Sequence, residues 1–111
     1  MNRSKTFYGG TALSYEDLLE SDRRTRIELE YYKVRETNDD IRVLEDSDTY
    51  GVEIIKKEYD TKDEFIVEKS ELHNLTTNET FAEHILEILK INKVTPVTLD
   101  DVMCDLIRNQ E

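Results

Sequence analysis

The stretch Arg26-Ile27-Glu28-Leu29-Glu30-Tyr31-Tyr32 sets Ile27, Leu29 and Tyr31 on one side and Arg26, Glu28, Glu30 and Tyr32 on the other. A period of two is that of a strand with one face in a core. The same period returns at residues 49–59, where Tyr50, Val52 and Ile54 oppose Glu53, Ile55 and Lys57. It returns again at residues 64–70, after the turn-like Asp60-Thr61-Lys62-Asp63, where Phe65 and Val67 alternate against Glu64, Ile66 and Glu68. Three strands with short or polar connections predict an antiparallel meander.

Further along, residues 77–92 change to a helical period. Thr77 or Asn78 is available as the cap, and Phe81, Ile85, Ile88 and Leu89 form a stripe. Adding Ala82, Leu86 and Ile91 spreads the apolar arc over more than half of the helical wheel, with Glu83, Glu87 and Lys90 as its outer edge. So apolar a helix needs cover on two sides. After the linker Asn92-Lys93-Val94-Thr95-Pro96-Val97, Thr98 can cap a last helix with Asp100 and Asp101 in its first turn, where the helix dipole favours negative charge. Its stripe is Leu99, Val102, Met103, Leu106 and Ile107, opposed by Asp101, Asp105 and Arg108. The predicted fold class is therefore α+β: a three-stranded antiparallel meander packed on one face by two C-terminal helices.

Residues 1–22 are polar, carry Gly9-Gly10 and hold one apolar cluster, Tyr15, Leu18 and Leu19. They read as a flexible tail with a possible short helix over residues 15–20, started by Ser14 with Asp17 three residues on. Residues 23–111 read as a single α+β domain, since 111 residues suit one unit and can bury a core without a disulfide or metal.

Charge and composition narrow the function classes. With 15 Lys and Arg against 26 Asp and Glu, the net charge is −11, which repels phosphate backbones and disfavours direct nucleic-acid binding. No membrane span or leader is expected, because no apolar run reaches about 18 residues and the start is polar. One cysteine, Cys104, fits a reducing compartment, and a cytoplasmic location is expected.

The stretches Glu28-Leu29-Glu30-Tyr31-Tyr32-Lys33-Val34, Tyr50-Gly51-Val52-Glu53-Ile54-Ile55-Lys56-Lys57 and Asn92-Lys93-Val94-Thr95-Pro96-Val97-Thr98-Leu99-Asp100-Asp101-Val102 resemble a family of small uncharacterised proteins from clostridia-like bacteria, a domain of unknown function. The resemblance spans roughly residues 25–108 and leaves the tail and the acidic insert between the first two predicted strands outside. It implies a bacterial cytoplasmic protein and transfers no active-site residues.

Candidate chemistry is sparse. Asp46-Ser47-Asp48-Thr49-Tyr50-Gly51 imitates the opening of a calcium loop, but Lys57 stands where the bidentate Glu is needed. Around it, residues 36–48 hold six acids against Arg42 alone, a solvated connection in which Ile41, Val43 and Leu44 offer apolar anchors. His84 beside Glu83 and Glu87 has the wrong order for a carboxylate metal site and reads as a half-buried boundary histidine; His73 has no reason to meet it. Cys104 lies among Asp100, Asp101 and Asp105, which disfavour a thiolate, so it reads as packing. The cluster Arg23-Arg24-Thr25-Arg26 suits cross-strand charge pairing, and Lys33, Lys56, Lys57 and Lys69 suit protection of sheet edges.

No catalytic residue, cofactor or metal is expected. The expectation is a small acidic, non-catalytic protein-binding module with a regulatory role, contacting its protein partner through Tyr15, Leu18, Leu19, Ile41, Val43 and Leu44. An acidic mimic of nucleic acid that inhibits a DNA- or RNA-binding protein is the alternative, and a metal-dependent enzyme the remotest. Tyr32, Val34, Ile55 and Ile66 are candidates for a second sheet face awaiting cover by the tail, a second copy or a partner.

Overall fold

The computed structural model of the chain describes residues 2–13, 24–37, 48–60 and 64–109. The alternating stretch lies in strand β2, Arg24–Thr37, but β2 is not the first strand. Asn2–Leu13 forms β1 ahead of it; β3 is Thr49–Asp60 and β4 is Phe65–Thr76. All neighbours are antiparallel, in the order β1-β2-β3-β4. The meander thus has four strands, not three.

The extra strand comes from the segment expected to be a tail. Thr6, Phe7, Tyr8 and Thr11 favour extended backbone, and a bulge at Tyr8 lets the register pass from Phe7↔Tyr32 to Gly9↔Tyr31. Gly9-Gly10 is read by composition as a loop, but within β1 Gly9 admits the stem of Lys90, which a side chain at position 9 would crowd. The possible helix over residues 15–20 lies outside the described residues.

Two helices and a short turn cover one face. Helix α1, Glu79–Ile91, is capped by Asn78, whose side-chain oxygen accepts from the Phe81 N–H at 3.2 Å. At its other end Lys93 takes a left-handed conformation (φ 51°), and the Lys93 and Val94 N–H groups donate to Lys90 and Leu89 carbonyls. This turn aims the chain back over the sheet. A 3-10 turn, Pro96–Thr98, follows and leads into helix α2, Leu99–Asn109. Thr98, expected as the cap of the last helix, stands directly ahead of α2 as the last residue of that turn, with its hydroxyl donating to the Thr95 carbonyl at 3.2 Å.

Leu29, Tyr31, Val52 and Ile54 from the sheet meet Ile85, Leu86 and Leu89 of α1, Val94, and Leu99 and Met103 of α2 in one buried cluster. Tyr31 is its largest member, and its hydroxyl donates to the Val94 carbonyl at 2.9 Å. Burial pushes that phenol up to about 12. The α1 residues expected to form an outer edge face the sheet instead. Glu79 and Glu83 accept from the Lys33 ammonium at 2.9 and 3.2 Å, and Glu87 accepts from the Tyr8 hydroxyl at 2.6 Å. They belong to the β1–β2 side of the sheet, while His84 is exposed and not half-buried.

The strands outrun the helices. At about 3.3 Å per residue, the 14 residues of β2 span roughly 45 Å; the 13 residues of α1 span roughly 20 Å. Accordingly the long axis is 56 Å and the radius of gyration 16.2 Å, against about 13 Å for a compact chain of this size.

Two outcomes follow from this packing. At Gly51 the bulged end of β4 passes so close that a Cβ would sit 2.0 Å from the Leu72 carbonyl oxygen; Gly51→Ala should therefore destabilise by about 3 kcal/mol, with the loss read as a lower urea midpoint. An unchanged midpoint would contradict the bulge. The second concerns alkaline pH: an unfolded phenol ionises near 10 while Tyr31 holds its proton to about 12. Between those values the folded chain binds more protons, so stability intact below pH 10 falls by roughly 2–3 kcal/mol as pH rises to 12. Tyr31→Phe should lose about 1 kcal/mol at neutral pH and flatten that alkaline slope, measured by urea titrations across the range.

Candidate functional site

Alternation along each strand sends a second set of side chains to the face away from the helices. Antiparallel register arranges them in rows: Lys5, Val34 and Gly51; Phe7, Tyr32, Glu53 and Glu71; Glu30, Ile55 and Lys69; Glu28, Lys57 and Val67; Tyr59 and Phe65. No helix of the described residues covers this open face.

Its two ends differ in character. Toward Arg3 and His73 the face is an ionic lattice. The Arg3 guanidinium lies against the Glu71 carboxylate, the Lys5 ammonium donates to Glu53 at 2.8 Å, and the His73 ring contacts Glu36 through Nδ1 at 2.5 Å and Glu71 through Nε2 at 3.6 Å. Beneath these groups Val34 is fully buried and Glu53 is 1% exposed, so the face is closed here by charged side chains and their stems.

From the row of Glu53 and Glu71 onward the face also carries aromatic rings. Phe7 and Tyr32 meet edge-on with centroids 5.6 Å apart, and Tyr59 and Phe65 lie at 5.2 Å. Glu30 accepts from the Tyr32 hydroxyl at 2.8 Å and from the Lys57 ammonium at 3.2 Å, while Glu28 accepts from Tyr59 at 3.3 Å. The Glu30 carboxylate raises both the Tyr32 phenol and the Lys57 ammonium above their ordinary values, through the hydrogen bond each gives it. Phe7, Phe65 and Val67 are 57%, 52% and 47% exposed. The rings are thus fixed in place and open to solvent.

On the helix side, the Glu87 carboxylate that accepts its proton, helped by burial, pushes the Tyr8 phenol up to about 12. Burial alone would lower Lys33, but its hydrogen bonds to Glu79 and Glu83 outweigh that and raise it. These contacts pin α1 to the sheet.

Among the described residues, no three His, Cys, Asp or Glu side chains converge where they could hold a metal. The two nitrogens of His73 address different carboxylates with Arg3 close by, and His84 stands on α1, on the far side of the sheet. Thr49, Tyr50 and Gly51 are strand rather than calcium loop, and Asp48 ahead of them accepts from Arg35, which holds it below the usual carboxylate range. Cys104 is exposed, not packed. What the open face offers is ordered aromatic surface bordered by salt bridges.

The six expected partner-binding residues, Tyr15, Leu18, Leu19, Ile41, Val43 and Leu44, lie outside the described residues. Tyr32, Val34 and Ile55 do share the second sheet face, but Ile66 falls on the other one, in the row of Ile27 and Glu58. Lys33, Lys56 and Lys57 sit on central strands in ion pairs, leaving Lys69 alone of the four on an edge strand. Arg24 pairs across from Asp60 at the backbone. Phe7 escaped notice because its segment was assigned to the tail; its signal is the β-favouring run Thr6-Phe7-Tyr8.

The chain belongs to the family described as Family of unknown function (DUF6514), whose profile matches residues 12–109. That match includes the acidic stretch between β2 and β3 and begins at the end of β1. No curated protein and no solved structure matches the chain. No helix of the described residues is long and apolar enough to cross a membrane.

The lattice makes its own prediction. Because Glu53 is buried and Lys5 supplies its counter-charge from a half-exposed position, Lys5→Met should cost roughly 2–3 kcal/mol, a little under the usual loss for breaking a buried pair. Adding Glu53→Leu should restore most of it. A double-mutant cycle by urea unfolding checks this, and a single variant as stable as the parent would show the pair to be idle.

Proposed function

We propose that this member of a family of unknown function is a small acidic, non-catalytic protein-binding module of the bacterial cytoplasm, acting through the open face of its sheet. The carrying observation is the exposure of Phe7, Phe65 and Val67 on a face whose other aromatic side chains are already held by hydrogen bonds and ring contacts. Rigid aromatic groups within a polar border suit protein recognition, since little side-chain entropy is lost when they are covered. A module that binds without transforming its partner acts by occupying a surface, which makes its role regulatory.

Charge points to the class of partner. Several described bases on the sheet are engaged by acids: Arg3 with Glu71, Lys5 with Glu53, Lys33 with Glu79 and Glu83, and Lys57 with Glu30. The net charge of −11 favours encounter with a basic protein. A cytoplasmic location rests on the single thiol, Cys104, in an otherwise cysteine-free chain.

Affinity capture with the full chain tests the proposal by comparison of variants. Phe7→Ser with Val67→Ser should lower recovery of a captured protein about tenfold or more, while Val97→Ser, exposed on the 3-10 turn, should leave it unchanged. Equal recovery by all three chains would remove the open face from the mechanism. Steep loss with salt and displacement by duplex DNA would instead favour an acidic mimic of nucleic acid.

A further inference from the structure

The outer edge of β4 is distinct from the open face. Among the described residues nothing pairs with it, so its outward N–H and C=O groups lack strand partners. Residues 65–69 pair with residues 59–55 of β3 in unbroken register, and the β4 bulge comes only afterwards, opposite Gly51. The opposite edge, β1, is interrupted by its bulge at Tyr8. Edge strands are normally blunted by bulges, proline or charge. On β4 a protecting lysine comes only at Lys69; before it Phe65, Ile66 and Val67 run consecutively and are exposed, with Ile66 67% accessible on the helix side.

From this combination we propose that the edge of β4 over residues 65–70 accepts an extended basic segment of a partner protein as a fifth, antiparallel strand. The inference rests on the binding-module reading but names a backbone interaction which that reading does not require. Strand addition draws affinity from main-chain hydrogen bonds and specificity from alternate side chains. Apolar residues of the incoming segment would lie opposite Phe65 and Val67 on the open face and opposite Ile66 on the other, while a basic residue would lie opposite Glu68.

A second copy of this chain fits poorly. Two-fold antiparallel pairing centred on Ile66 sets Phe65 against Val67, but it also sets Glu64 against Glu68 and joins two chains of charge −11. A basic segment removes both penalties.

The test uses the full chain, labelled for NMR, and a capped synthetic peptide built on Lys-Val-Val-Val-Lys, which in antiparallel register sets its valines opposite residues 65–67 and its lysines opposite Glu68 and Glu64. On binding, alternate backbone amides of residues 65–70 should gain about tenfold or greater protection from hydrogen exchange. The same peptide methylated at alternate backbone nitrogens should not confer it. Ile66→Lys, a change at an exposed position that installs a natural edge-blocking residue, should weaken binding about tenfold. Peptide contacts at Phe7 and Tyr32 without protection of β4 would overturn the inference and leave the open-face reading standing. It would equally fall if the peptide did not bind, if a glutamate-for-lysine peptide bound as well, or if β4 protection rose with protein concentration alone, the mark of a second copy.

Discussion

A sheet has two faces, and among the described residues apolar helix covers only one of them. On the covered side Tyr31 and its neighbours meet α1, Val94 and α2 in a single cluster, with the Tyr31 hydroxyl tying the sheet to the turn that reverses the chain. On the other side no such layer is present among the described residues, and side chains on the central strands such as Val34 and Glu53 must still be dry. Long charged side chains supply the cover at one end. Phe7, in the row of Glu53, and Phe65, toward the end where the strands outrun the helices, remain in contact with solvent. The sharing of the open face between ions and aromatic rings follows from that shortage.

Closing a face with ions is a costly way to stabilise a sheet. A carboxylate held at 1% exposure loses most of its hydration, and attraction to Lys5 must offset that loss. The return is positional: Arg3, Lys5, Glu36, Glu53, Glu71 and His73 come from all four strands, so their contacts fix β1 and β4 against the central pair. A strand slipped by one residue would move these groups to the apolar face. Strand β1 needs this most, since Gly9-Gly10 gives it little propensity of its own.

Much of the body was legible because it rests on strong periodicity. Ile27, Leu29 and Tyr31 face the core as their alternation requires, Tyr50, Val52 and Ile54 do the same, and Asn78 caps α1. The failures share a cause, which is that local pattern is silent about neighbours. Glu83 and Glu87 look like solvent residues on a wheel, but Lys33 and Tyr8 draw them toward the sheet. Strand β1 was missed since two glycines outweighed three β-formers in composition, whereas in the fold its pairing with β2 decides. Phe65 and Val67 carry a core pattern and lie exposed, because among the described residues no second layer extends over them.

That last mismatch bears on function. An alternating apolar strand that finds no core is either a liability or a contact surface, and this one is furnished unlike a liability. Tyr59 packs against Phe65, Tyr32 against Phe7, and the tyrosine hydroxyls are spent on Glu28 and Glu30 rather than left to water. Lys57 steadies Glu30 in turn. Each exposed ring therefore has a neighbour that fixes its position, and a surface ordered in advance loses less entropy when covered. The same hydrogen bonds that stabilise the open face in the free protein are the ones on which the proposed binding through that face relies.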